Sequence, residues 1–185
     1  MPRVSDAEKQ KSHKRILEAA AGLFREKGIE TTSVAEVMKA AGMTHGGFYR
    51  HFSGKDEMVS AAFDAAVDDA VADMEQGADG AARAAARADY IAKYLSQNHV
   101  ENRNIGCPIA ALGSELARSE GPVKQDTANA IDRVAELLEA DATDQSGYAR
   151  LALLVGAVTL ARLTGDETQS KSILEKTAAT ISKLT

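Results

Sequence analysis

Tryptophan is absent from this 185-residue chain, and phenylalanine and tyrosine together make up only 4% of it. Proline occurs three times, and no alternating run of Val, Ile, Thr and aromatic residues is present. Few breakers among much Ala, Leu, Glu and Lys favour helix. The missing alternation removes the strand signature, so an all-β fold is excluded and a βαβ fold disfavoured. A single cysteine, Cys107, excludes an intramolecular disulfide framework and a cysteine-based zinc site, and fits a reducing cytoplasm. The histidines His13, His45, His51 and His99 show no ligand spacing, so no metal and no cofactor is expected. No Ser–His–Asp arrangement and no phosphate-cradling glycine loop occurs, so no catalytic residue is proposed. The most apolar run, Leu151–Ala161 between Arg150 and Arg162, is eleven residues, against about 20 for a membrane span. The opening residues MPRVSDAEKQKSHKR carry no apolar signal segment. A cytoplasmic protein without a membrane partner is the expectation.

Charge is what the chain has, and it is uneven. Residues 1–55 hold ten Lys/Arg against six Asp/Glu, whereas the remainder holds twelve against twenty-one. A basic head on an acidic body suggests that the head alone meets a polyanion. Screening limits the reach of the acidic body to about 8–10 Å.

Helical periodicity runs through the chain. Ser5 and Glu8 read as a capping box for a helix from about Asp6 to Lys27, with Ile16, Leu17, Ala20, Leu23 and Phe24 on one face. Gly28 is its left-handed stop. Ser33 and Glu36 form a second capping box, opening a short helix that carries Val37 and Ala41. Gly42 supplies the turn, and Thr44 caps a third short helix to about Phe52. A long helix follows, with Met58, Val59, Ala62, Phe63, Ala66, Val67, Ala70, Val71 and Met74 on one stripe. Asp64, Asp68, Asp69 and Asp73 lie off it and read as a solvated face. Further helices are expected over 82–98, after Pro108 and Pro122 as first-turn prolines, over 148–163 and over 168–182.

The segment Ser33–Lys55 is therefore helix, glycine turn, helix: a helix-turn-helix, whose second helix enters the DNA major groove. Val37, Ala41 and Phe48 pack its helices together. The second helix turns its positive N-terminal end toward phosphates and base edges.

Residues 11–58 resemble the DNA-binding domain of the TetR (tetracycline-repressor-like) transcriptional regulators. The carriers are Ile16-Leu17-x-Ala19-Ala20-x-x-Leu23-Phe24, Gly28, Thr32-Ser33-Val34, Val37, Ala41-Gly42 and Gly47-Phe48-Tyr49-Arg50-His51-Phe52-x-x-Lys55-Asp56. The resemblance implies that Thr32 and Ser33 bind a phosphate. It places Thr44, His45, Gly46 and Gly47 at the major groove. Tyr49, His51 and Lys55 would clamp backbone phosphates, and Arg50 would reach a phosphate or a guanine edge. Phe48 and Phe52, four apart, read as core. Two departures bear on the operator sequence: His45 stands where many members carry Lys, and Gly46-Gly47 lacks side-chain information.

The expected fold is all-α. A three-helix helix-turn-helix domain over 1–54 precedes a helical ligand-binding and dimerisation domain over 55–185. The resemblance implies a homodimeric repressor on a pseudo-palindromic double-stranded DNA operator, released by a small-molecule effector. Candidate effector contacts are Phe63, Tyr90, Tyr94, Cys107, Leu112 and Leu116. Five of eight aromatics fall within residues 24–63, so an aliphatic pocket is expected. The last two long helices would pair with their copies through Leu151, Leu154, Val155, Val158, Ile173, Leu174 and Ile181. Cys107, beside Pro108 at a helix start, reads either as a buried small hydrophobe or as a thiol of lowered pKa that senses electrophiles. The alternative function is a helical small-molecule-binding protein or enzyme whose head is only structural.

Overall fold

The computed structural model describes residues 6–77, 79–141 and 143–184; the Ser5 cap lies outside them. Among these residues the secondary structure is helical, without a strand. Helix α1 (Asp6–Lys27) has acids in its first turn and Arg25 and Lys27 in its last, matching the helix dipole. It stops at Gly28, whose φ of 93° suits only a residue without Cβ. Helix α2 (Val34–Ala40) opens on the reciprocal Ser33/Glu36 capping box. Gly42, φ 68°, turns the chain after it.

The next segment differs from expectation. His45–Arg50 is a 3-10 helix, and Thr44 makes no side-chain cap to it. Two adjacent glycines near its start weaken an α-helix by about 1 kcal/mol each, and the tighter winding still buries Phe48.

Helix α3 (Lys55–Glu75) carries the expected stripe, except that Ala70 is exposed. Helix α4 (Gly80–Tyr94) ends earlier than its apolar pattern implies. Ser96 breaks it by capping a separate short helix, α5 (Gln97–Glu101), through the His99 N–H. Pro108 and Pro122 open α6 (Pro108–Leu116) and α7 (Gly121–Leu138), and α8 (Gly147–Leu163) and α9 (Glu167–Ile181) complete the chain.

Helix α3 packs against both α1 and α7; α7 packs on α8, and α8 on α9. One continuous apolar core runs from Ile16 to Ile181. The acidic row on α3 is partly spent on this packing. Arg133 of α7 bridges Asp68 at 2.5 Å and Glu75 at 2.7 Å, and Lys93 of α4 reaches Asp73 at 3.8 Å.

The α7–α8 contact depends on Gly147. A Cβ there would lie 2.2 Å from the Ala135 carbonyl oxygen, a backbone atom that cannot swing aside. Gly147→Ala should therefore destabilise by about 1–3 kcal/mol, the usual range for overpacking. An unchanged urea midpoint would refute this account of the close approach.

The expected dimer residues separate. Leu151, Leu154, Val158, Leu174 and Ile181 are buried within the chain's own core, where α8 and α9 meet each other and the rest of the body. Only Val155 and Ile173 remain half-exposed. Both faces of α8 are apolar, so periodicity did not distinguish the inner from the outer. The outer face carries Ala152, Val155, Gly156, Thr159, Leu160 and Leu163, with Leu160 and Leu163 at 55% and 76% exposure.

Candidate nucleic-acid interface and effector groove

The head presents one row of side chains outward. Thr44, His45, Gly46, Tyr49 and Arg50 are exposed, and Tyr49 reaches 71%. A Cβ on Gly46 would meet open space, so a surface can approach the backbone closely there. Gly47 is half-buried over Met38 and Met43. Beneath the row, Phe48 stacks on Phe52 with ring centroids 5.6 Å apart, and Tyr49 meets Phe48 edge-on at 5.2 Å. The two phenylalanines are the core reading; Tyr49 stands proud because its position faces away from them.

His51 lies at the edge of the row, half-buried. Its ring lies 5.6 Å from that of His13 on α1, and its Nδ1 is buried without a hydrogen-bond partner. Burial first, and then the positive charges of His13, Lys9 and Arg50, hold its pKa below the ordinary histidine value.

Three of the residues expected at phosphates are engaged inside the protein. Thr32 is fully buried, and its hydroxyl donates to the Gly28 carbonyl at 2.7 Å, so this side chain closes the α1–α2 turn and does not face a phosphate. The Ser33 hydroxyl is exposed but shared with Glu36, donating to its carboxylate at 2.9 Å and accepting the Glu36 N–H at 3.2 Å. Lys55 donates to the Ile29 carbonyl at 2.5 Å. Its place in the first turn of α3 is unfavourable to the dipole, and an internal carbonyl compensates where an external phosphate was expected.

Sequence reasoning missed Glu115, near the end of α6. Its carboxylate accepts the N–H groups of Ile29 at 2.9 Å and Glu30 at 3.1 Å. Together with Lys55 it ties the α1–α2 turn of the head to the body. No local pattern marks a carboxylate whose partners lie 86 residues away.

At the other end of α6 lies a groove of about 650 Å³, lined by Tyr90, Tyr94, Ser96, His99, Ile105 and Cys107 among others. Tyr90, Tyr94 and Cys107 are thus brought together as expected. Phe63, Leu112 and Leu116 are buried in the core instead and do not line this groove. Nor is the groove aliphatic: Tyr94 packs edge-on against His99 at 4.5 Å and lies beside Tyr90 at 5.7 Å. His99 bridges the chain through both nitrogens. Nε2 accepts the Cys107 N–H at 2.8 Å, which leaves Nδ1–H to donate to the Tyr94 carbonyl at 2.7 Å. That arrangement requires a neutral ring, and burial holds the His99 pKa down. Cys107 is buried, and burial pushes its thiol pKa up; the Tyr94 hydroxyl and the backbone N–H groups of Ala110 and Ile109 offset this only in part. Of the two readings of Cys107, burial favours the small hydrophobe, because desolvation outweighs the helix end.

A short helix, a glycine turn and an exposed 3-10 segment, packed on a basic first helix, make the head a helix-turn-helix of an all-helical protein. Residues 16–62 match the model of the bacterial regulatory proteins of the tetR family. Over 64 residues it is 38% identical to the HTH-type transcriptional regulator AcrR of Shigella flexneri, covering 35% of this chain and 30% of the relative. Over 44 residues it is 43% identical to the HTH-type transcriptional repressor KstR2 of Mycobacterium tuberculosis, covering 24% and 22%. The matched stretches thus span less than a third of the length of these relatives. The crystal structure of a TetR-family transcriptional regulator from Cytophaga hutchinsonii superposes with a TM-score of 0.68 over 99% of this chain and 98% of that one, at 19% identity, a likeness of fold.

Proposed function

We propose that the chain is a transcriptional regulator, and not an enzyme, that binds a pseudo-palindromic operator in double-stranded DNA as a homodimer and is released by a small molecule. In this reading residues 1–54 are the DNA-binding head and 55–185 the regulatory body, and the protein works in the cytoplasm, where its DNA is. The observation that carries the reading is the outward row Thr44, His45, Gly46, Tyr49 and Arg50 on a head whose phenylalanines are turned inward. Arg50 is the strongest reader in it, able to make a bidentate contact to guanine or phosphate. The outer face of α8 supplies an apolar, small-residue surface for a second copy. The Tyr90–Tyr94–His99–Cys107 groove is the effector site of this reading.

A salt titration on duplex DNA from the promoter of its own gene tests it. Log affinity should fall linearly with log salt, and Arg50→Ala should reduce that slope by about one if Arg50 neutralises a phosphate. If it reads a guanine instead, the variant should lose about 1–3 kcal/mol of discrimination at one base pair. Absence of duplex binding even at low salt, with no small molecule present, sinks the reading.

A further inference from the structure

A second hollow shares no lining residue with the Tyr90–Cys107 groove and adjoins it at one end, where Arg25 meets Gly106. It has a volume of about 680 Å³ and runs along α1 where that helix faces α3, from Lys9 at the head to Arg25 at the body. His13 and Arg25 both line it, and twelve residues of helix separate them by about 18 Å. Its middle is floored by Leu17, Ala21, Ala65 and Ala66. Near each end a nitrogen without a partner lies just beneath the lining. At the head end this is Nδ1 of His51, on which the positive charges of His13, Lys9 and Arg50 converge. At the body end it is Nε of Arg25, whose Nη1 already donates to the Gly106 carbonyl at 3.3 Å. The acids along the hollow do not satisfy these atoms. Glu18 pairs with Lys14 at 3.8 Å, and Asp69 acts on Arg25 through charge alone, leaving its Nε–H unbonded. Asp6 sits in the first turn of α1, where a carboxylate complements the helix dipole.

We propose that this hollow binds a linear organic dianion with an apolar middle. One carboxylate or phosphate sits among Lys9, Arg50 and His51, the chain lies over Leu17, Ala21, Ala65 and Ala66, and the second anionic group pairs with the Arg25 guanidinium. Charge-assisted bonds at both ends and apolar burial between them match what the hollow offers. An uncharged chain would forgo the charge-assisted bond at both ends, and a monoanion would forgo it at one.

The test is titration calorimetry of the full chain, without DNA, against dodecanedioate, with dodecanoate and 1,12-dodecanediol as comparisons. Dodecanedioate should bind about tenfold or more tightly than dodecanoate, the effect of one hydrogen bond to a charged group, and the diol more weakly than either. Arg25→Gln should bring dodecanedioate down to the level of dodecanoate. Because Arg25 also holds the Gly106 carbonyl, a second variant is needed that leaves this bond alone. Ala65→Leu, at a half-exposed floor position, should abolish binding of both acids while the circular dichroism spectrum and melting temperature are kept. Three results would each overturn the proposal: no binding of dodecanedioate at millimolar concentration, equal affinity for the monoacid and the diacid, or undiminished binding by Ala65→Leu. No DNA enters the measurement, so failure here leaves the regulator reading standing, and failure of that reading leaves this site standing.

Discussion

Arg150→Met should cost about 3–5 kcal/mol of unfolding free energy at pH 7, the usual cost of removing one partner of a buried ion pair. Arg150 and Asp144 are both buried and bonded to each other. The same guanidinium donates to the Leu138 carbonyl at the end of α7, at 2.7 Å, and to the Leu184 carbonyl beyond α9, at 2.6 Å. One side chain therefore gathers the ends of α7 and α9 onto α8. Asp144 in turn accepts the hydroxyl and N–H of Ser146 and the Ala140 N–H. The Ser146 hydroxyl first, and then Arg150 and the backbone N–H groups, hold its carboxyl well below the usual carboxylate range. A depressed folded pKa contributes stability that is fully present above the unfolded value of about 3.9 and is lost as pH falls below it. The gap between the wild type and Arg150→Met should therefore be widest near neutrality and narrow below about pH 4. Urea unfolding at pH 7 and at pH 3 reads both. A variant within 1 kcal/mol of wild type at pH 7 would show that the pair does not hold these ends together.

Glu115→Ala should release the head from the body. Hydrogen bonds to a charged group contribute about 1.5–3 kcal/mol, so the amides of Ile29 and Glu30 should exchange with solvent at least about tenfold faster. Glu115→Gln, which keeps an acceptor oxygen without its charge, should fall between. The functional consequence follows from where α6 lies. It starts beside Cys107 in the Tyr90–Tyr94–His99–Cys107 groove and, about 12 Å on, delivers Glu115 to the α1–α2 turn. A ligand that shifts the start of α6 would move the head through this carboxylate. In the regulator reading proposed above, an allosteric coupling of about 1–3 kcal/mol would correspond to a 5–150-fold change in DNA affinity, and the variant should lose that response while still binding DNA. Unaltered exchange at Ile29 and Glu30 would remove Glu115 from the path. The buried Met58 and Phe63 of α3 lie in the core against which α1 and α7 pack; they support the head but do not touch the groove.

What could be read without coordinates is local. Gly28 and Gly42 stand where the backbone turns left-handed, Ser33 and Glu36 cap each other three residues apart, and Pro108 and Pro122 occupy first turns. Each signal and its consequence lie within one helical turn, so the residue types alone determine them. The outward placement of Tyr49 and Arg50 was legible for the same reason, because Phe48 and Phe52 define the inner face.

Tertiary structure decided everything that depends on a distant partner. It sent Thr32 and Lys55 to backbone carbonyls inside the head and brought Glu115 to a turn far away in sequence. Desolvation around Cys107 decided between its two readings, a quantity that no neighbour in sequence reports. Helix α8 makes the contrast plainest. Its sequence specifies a helix apolar on all sides, but which face is core and which is left exposed depended on where α7 and α9 came to rest, because burial is a property of the assembled surface and not of the residue.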